Sequence, residues 1–237
     1  TANTSSPTLR LHRMVISQST SEPPPTPPPP GALYVSGCTI EVDRTAIINN
    51  NSNALILAEP AVAQTKYQIT NSIIANNTLG DARGGVGALA AVRLAGTGIF
   101  RFNTVVNNTI AQPILPLIGG VDCGPTQKAI ENSIVVENPK VLNMQINSCL
   151  INEVVVGLGD ADAGIRENPV FVNPSNKLPQ GLALAPADVA CRDQAAPIPS
   201  ASEIMQLPSR GYWQWSYSGT PRPVGPAPDI GAFELQQ

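Results

Sequence analysis

The chain has 237 residues, of which 13% are charged and 4% aromatic, and its formal net charge is −3. So small a charged fraction leaves little to solvate the outer faces of helices, and with no run of Lys or Arg the electrostatic footprint of a nucleic-acid or anionic-membrane partner is missing. The apolar residues are mainly Ala, Val, Ile and Leu, and 24 Pro and 19 Gly supply turns, a balance that suits an all-β chain or a solenoid.

From the N-terminus the first strand signal is Arg13-Met-Val-Ile-Ser-Gln18, and five further strings match it: those beginning at Arg44, Asn71, Asn103, Asn132 and Asn147. The fourth position is always aliphatic (Ile16, Ile47, Ile74, Val106, Val135, Leu150). The sixth is always an amide or a carboxylate (Gln18, Asn49, Asn76, Asn108, Glu137, Asn152), and the second is Ser or Thr in five of the six. Read as extended strands, positions two, four and six share one face. Stacking the strands in parallel puts like on like, with an interior aliphatic column and an amide ladder beside it. The strings start 27 to 32 residues apart, with a last step of 15, which suits a three-sided coil that shortens at its end. The predicted architecture is therefore a right-handed parallel β-helix. A β-sandwich, which also has short strands at regular spacing, does not explain the repeated Asn.

Between the repeats, Glu22 to Pro30 is so proline-rich that it cannot join a ladder, and it reads as a polyproline II loop acting as a stiff spacer. Ala54 to Leu57, Lys66 to Ile69, Ala88 to Leu94 and Ile99 to Phe102 are the strands expected for the other walls. Asp81 to Gly87 is a glycine-rich turn without the strand-to-helix setting of a phosphate loop. The longest apolar stretches, Gly87 to Leu94 and Val154 to Leu158, fall well short of the roughly 20 residues of a bilayer span. A start at Thr1 rather than Met is read as that of a processed product, so the missing leader gives no argument for the cytoplasm. Cys38, Cys123, Cys149 and Cys191 form no CxxC, and one His cannot complete a zinc site. Counting alone leaves two disulfides and four buried thiols equally open.

After residue 154 the repeat fades. Residues 1–153 are read as coils and 154–237 as a terminal coil and cap of the same domain. Three strings in the second part, Glu167-Asn-Pro-Val-Phe-Val-Asn-Pro174, Leu182-Ala-Leu-Ala-Pro-Ala-Asp188 and Arg222-Pro-Val-Gly-Pro-Ala-Pro-Asp-Ile-Gly-Ala-Phe-Glu234, with Asp229 to Glu234 the most specific piece, resemble the closing motifs of exported bacterial β-helix repeat proteins of the pectate-lyase-like superfamily. These are often anchored surface proteins, related in their repeats to polymorphic outer-membrane proteins. Asn71 to Asn77 resembles the family's coil motif, and Val121-Asp-Cys-Gly124 its Asp-Cys-Gly turn. Near Ala187 to Asp193 the family's Ser-Pro-Ala-Ile-Asp stretch is replaced, and no anchor follows Gln237. The resemblance implies a secreted or cell-surface location and at least one disulfide. Cys123 with Cys149 is the first choice, since they fall in adjacent coils, and Cys38 with Cys191 is the remaining pair. A cap over the last coil would make Asp229 and Glu234 turn residues rather than catalysts.

Enzymes of this superfamily act mainly on acidic polysaccharides, by β-elimination beside Asp-bound calcium or by hydrolysis with paired carboxylates. The family's Asn-Thr-Asp, Asp-Asp, Gly-His-Gly and Arg-Ile-Lys strings are absent here. The candidate catalytic residues are Asp160, Asp162 and Arg166, with Glu167 beside them, and Asp160 and Asp162 are also the candidate calcium ligands. No other cofactor is implied, and a solvated connection explains the same residues. His12 reads as a wall residue rather than a base. The leading expectation is a structural or adhesive surface module, with a polysaccharide lyase or hydrolase and a subunit of a larger extracellular assembly as alternatives. The expected partners are other chains or upstream coils at an uncapped N-terminal edge, and polysaccharide.

Overall fold

A computed structural model of the chain describes residues 7–18, 31–52, 54–58, 65–79, 90–110, 118–123, 128–138, 149–152, 155–156, 168–176, 178–195 and 216–235. The architecture is all-β, and three parallel walls carry all its named strands but β9 and β13. Wall A runs, in order, through β1 (Thr8–His12), β4 (Thr39–Asp43), β7 (Lys66–Thr70), β11 (Thr97–Arg101), β15 (Lys128–Glu131) and β17 (Cys149–Asn152). Wall B runs through β2 (Val15–Ser17), β5 (Ala46–Ile48), β8 (Ile73–Ala75), β12 (Thr104–Val106), β16 (Ile134–Val136) and β18 (Val155–Val156). Wall C is formed by β3 (Leu33–Ser36), β6 (Leu55–Ala58), β10 (Ala90–Arg93) and β14 (Ile118–Asp122), and the short β9 (Thr78–Leu79) pairs with β13 (Thr109–Ile110). Each pass of the chain adds a strand to successive walls, which makes the fold β-helix-like. A single turn of 3-10 helix, Pro179–Leu182, is the only helical element among the described residues.

The strands expected between the repeats are all present, as β6, β7, β10 and β11. Alternation along each strand sends one set of side chains inward. Val42, Ile69, Phe100 and Ile130 from wall A, Ile47, Ile74, Val105 and Val135 from wall B, and Val35, Leu57, Leu94 and Cys123 near wall C form one interior cluster. Each buried Ile or Leu contributes about 1.5–3 kcal/mol of transfer free energy.

The repeat itself is not a six-residue strand. Each wall B strand with a described bend at both ends has only three residues, and left-handed residues bound it: Arg13 and Gln18, Arg44 and Asn49, Asn71 and Asn76, Phe102 and Asn107, Asn132 and Glu137, all with φ between 46° and 60°. Asn tolerates this region better than most side chains, which accounts for its recurrence at both ends of the string. Three expectations change as a result. The fourth copy begins at Phe102, so Val105 and not Val106 stacks between Ile74 and Val135; Val106 points to the outer face. The two adjacent valines fit either frame, and the bends decide it. The string beginning at Asn147 belongs to wall A, where Cys149 lies opposite Lys128 and Asn152 opposite Glu131. Wall B continues instead with Val155 opposite Ile134.

The amide ladder exists, displaced by one residue from the expected Asn49 and Asn76. Asn50 Nδ2 donates to Asn77 Oδ1 (2.9 Å), Asn77 Nδ2 to Asn108 Oδ1 (2.9 Å) and Asn108 Nδ2 to Asn138 Oδ1 (2.9 Å). The same oxygens accept the backbone N–H of Asn50, Asn77 and Asn108. Each Nδ2 also donates back to a wall B carbonyl of the preceding coil, Ile16, Ile47, Ile74 and Val105 in turn. A second ladder lines the other corner, where the N–H groups of Thr45, Ser72 and Asn103 donate to Ser72 Oγ, Asn103 Oδ1 and Ser133 Oγ. Corners that would otherwise bury unpaired backbone are thereby satisfied.

The described C-terminal residues form a strap along the outer face of wall B; residues 157–167 and 196–215 of the expected cap lie outside the described set. Ala46, Ile48, Ile73, Ala75, Val106, Ile134 and Val136 pack there against Phe171, Leu182, Leu184, Ile230, Ala232 and Phe233. The Ala232 N–H donates to Thr104 Oγ1 (3.0 Å) and the Gly231 N–H to the Asn132 carbonyl (2.9 Å). Gly231 has φ +98°, and a Cβ there would sit 2.6 Å from Ile134 Cδ1, so glycine is required for the approach. The apolar third and fifth positions of three copies, Ala46 and Ile48, Ile73 and Ala75, and Ile134 and Val136, account for the burial of wall B on both faces.

Candidate functional site

The expected acidic cluster, Asp160, Asp162, Arg166 and Glu167, lies outside the described residues, as do the Glu22 to Pro30 loop and the Asp81 to Gly87 turn. Among the described residues no group of three or more His, Cys, Asp or Glu could hold a metal ion.

The densest charge cluster described stands where wall A turns into wall B. Asp43, at the end of β4, is 2% exposed. Its Oδ2 accepts from Arg44 Nε (2.8 Å) and faces His12 Nδ1 (2.9 Å), while its Oδ1 accepts from Thr70 Oγ1 (3.1 Å) and Asn71 Nδ2 (2.9 Å). Arg44 Nη2 lies 3.1 Å from His12 Nε2. A guanidinium only donates, so Nε2 is the acceptor and the proton resides on Nδ1. The lone pair that a general base would use is thus engaged, in keeping with His12 as a wall residue. In a neighbouring column Arg10 Nε donates to Glu41 Oε2 (2.8 Å), and further along the Asp43 column Arg101 pairs with Glu131. Glu41 Oε1 is buried without a hydrogen-bond partner. These pairs cross between coils and fix the register of wall A.

The strap is organised by carboxylates. Asp188 accepts the N–H groups of Val170, Cys191 and Arg192, and Asp229 those of Asp193 and Leu235. Glu234 accepts from the Val224 and Asp229 N–H groups and from Arg222 Nη1 (2.8 Å). Asp229 and Glu234 are therefore turn-forming residues, as expected. Sequence reasoning placed Arg222 at the start of a closing motif without assigning it a role; it is buried with its guanidinium 4.4 Å from the Phe102 ring centroid and donates to the carbonyls of Asp229, Phe233 and Gly231. Burial is the main influence on all three charges: it lowers the Arg222 pKa to about 10 and raises those of Asp229 and Glu234, with mutual attraction only partly opposing it.

Cys123 and Cys149 form a disulfide at the far end of the interior, with Cα atoms 5.3 Å apart. Cys38 and Cys191 do not pair. Cys38 packs against the interior cluster and Cys191 belongs to the cluster under the strap, so the two thiols lie in different layers. Burial raises the Cys191 pKa, assisted by Asp188 and Asp229.

The first coil is the remaining feature. β1, β2 and β3 each stand at the end of their wall, with no described strand beyond them. Leu9 (38% exposed), Met14 (44%), Val15 (58%) and Tyr34 (42%) all lie on this coil. The residues opposite Leu9 and Val15 one coil on, Ile40 and Ala46, are fully buried. Residues 7–12 do not fold across the coil, and residues 1–6 lie outside the described set. No helix among the described residues is long and apolar enough to cross a membrane.

No family model, no curated protein and no solved structure matches this chain.

Proposed function

We propose that the chain is a structural or adhesive module of an exported bacterial surface protein, a right-handed parallel β-helix whose first coil is an interaction surface for further β-strands. The observation that carries this reading is a first coil whose strands β1, β2 and β3 have no described strand beyond them and which exposes Leu9, Met14, Val15 and Tyr34. Edge strands with apolar flanks are templates for parallel strand addition. A second support is the investment of the polar residues in ladders, bridging ion pairs and turn-forming carboxylates, all of which maintain a stack. The disulfide favours an oxidising, extracytoplasmic location.

The test is association of the 237-residue chain measured by light scattering over a wide concentration range, beside a Leu9→Lys/Val15→Lys variant. The wild type is expected to associate and the variant to remain monomeric with unchanged circular dichroism. A wild type that stays monomeric at the highest concentration overturns the reading.

A further inference from the structure

We propose that the strand taken up at the open edge of β1 is an extended acidic segment of a partner protein, parallel to β1, with carboxylates opposite Arg10 and His12 and aliphatic residues opposite Leu9 and Leu11. This rests on the reading of the first coil as an interaction surface for β-strands and adds the chemistry and register of the strand that binds.

The edge fixes the direction of the bonds. The Arg13 N–H donates to the Asp43 carbonyl, and the Pro7 carbonyl accepts from the Thr39 N–H, so the odd-numbered residues of β1 turn their backbone groups toward β4. Successive residues of a strand direct these groups to opposite sides, which aims those of Thr8, Arg10 and His12 at the open edge. The side chains alternate as well. Leu11 packs on the interior cluster, whereas Arg10 and His12 stand on the outer face with 64% and 40% of their side chains exposed.

Charge selects the strand. Among the described residues, each Arg–carboxylate pair that joins two coils takes its Arg from the earlier coil and its carboxylate from the later one: Arg10 with Glu41, Arg93 with Asp122 and Arg101 with Glu131. Residues 7–18 and 31–38, the described part of the first coil, hold Arg10 and an exposed Arg13 and no carboxylate. A basic strand at this edge meets like charge, while an acidic one is attracted by both guanidinium groups. The occupied side of β1 shows the fitting pattern: in Thr39-Ile-Glu-Val-Asp43 the aliphatic residues lie opposite Leu9 and Leu11 and the carboxylates opposite Arg10 and His12. The same alternation on the open side sets Arg10 between two carboxylates and each leucine between two aliphatic side chains.

The probe is a fluorescent peptide copying Thr39–Asp43, titrated with the 237-residue chain and followed by anisotropy. Replacing its Glu by Gln and its Asp by Asn removes hydrogen bonds to a charged group and is expected to weaken binding about tenfold. The difference should vanish in an Arg10→Gln variant; should that variant fold poorly, added salt gives the same comparison, weakening only the acidic peptide. Backbone methylation reads the pairing. In parallel addition the peptide's Ile and Val N–H groups bond to β1 and those of Glu and Asp point away, so N-methylation of Ile and Val abolishes binding while N-methylation of Glu and Asp preserves it. The reverse dependence overturns the parallel register, and equal binding of the acidic and neutral peptides, or indifference to both methylations, overturns the acidic strand. Association of the chain in light scattering with no binding of any peptide overturns this inference and leaves the first coil an interaction surface. A monomeric chain that binds no peptide overturns both.

Discussion

Replacing Asn77 by Ala removes the centre of the corner ladder. Asn77 is fully buried; its Oδ1 accepts from the Asn50 N–H and Asn50 Nδ2, and its Nδ2 donates to the Ile47 carbonyl and Asn108 Oδ1. Truncation leaves three buried groups without these partners: the Asn50 N–H, one Asn50 amide hydrogen and the Ile47 carbonyl. Asn108 Oδ1 keeps the Asn77 N–H. At about 1–3 kcal/mol for each orphaned group, with partial relaxation, the loss is about 3–5 kcal/mol, a large part of the stability of an ordinary domain. The assay is urea denaturation followed by circular dichroism, in which the midpoint falls at unchanged slope. Asn77→Asp separates acceptor from donor, since it keeps the bonds from Asn50 but aims a carboxylate at the Ile47 carbonyl and Asn108 Oδ1. Burial and the two facing oxygens raise the introduced group's pKa, against the Asn50 donors, so its protonated form, able to donate to one of those oxygens, prevails at low pH and its stabilisation is lost as pH rises through the folded value. The Asp variant should thus recover stability on acidification relative to the Ala variant. A loss under 1 kcal/mol for Asn77→Ala, about the lower bound for one orphaned group, would refute the ladder's structural role.

Glu137 is exposed with φ 53°, so Glu137→Gly should raise stability by about 1 kcal/mol through relief of the left-handed backbone, read from the urea midpoint. Gly231→Ala should detach the strap, since its methyl would enter Ile134; the Cys191 thiol, inaccessible in the wild type, should then react with a thiol reagent. For Asp229 and Glu234, whose pKa values burial raises, the stability linked to their protonated forms is present at acid pH and lost as pH rises through those values. Lowering pH from neutral toward 5 should accordingly strengthen the strap, seen as slower amide exchange in residues 229–235. Removing the disulfide with Cys123→Ala/Cys149→Ala opens a loop of 26 residues and should cost about 3–4 kcal/mol by the loop-entropy relation, measured by thermal denaturation.

The parallel walls were legible because strand stacking writes the same residue classes at a near-constant interval, as in Ile47, Ile74 and Val135. The register at Val105 and Val106 was not, since both valines satisfy an aliphatic rule and only the bends at Phe102 and Asn107 distinguish them. Asn49 and Asn76 were visible as repeating amides, but in Asn-Asn doublets the bend and the ladder take one residue each, and composition cannot assign them. Asn152 copied the repeat's ending from another wall, because wall A columns also close on polar residues. Asp229 and Glu234 were readable as turn formers, whereas the burial of Arg222 depends on a strap whose docking site lies far away in sequence. The exposure of Leu9, Met14, Val15 and Tyr34 on the first coil was not readable in the sequence and came from the walls.

Among the described residues the amide-to-amide bonds of the corner ladder all run one way, from Asn50 toward Asn138, and Asn138 closes the described series by donating to the carbonyl of Val136 in its own coil. Every internal member satisfies the coil before it and asks the same of the coil after it. A duplicated whole coil spliced between Asn77 and Asn108 would thus find both requests already answered, whereas a one-residue insertion at a corner would break two of them. Length can change in this molecule by the unit of a full turn, from the inside, with the closing residue left undisturbed.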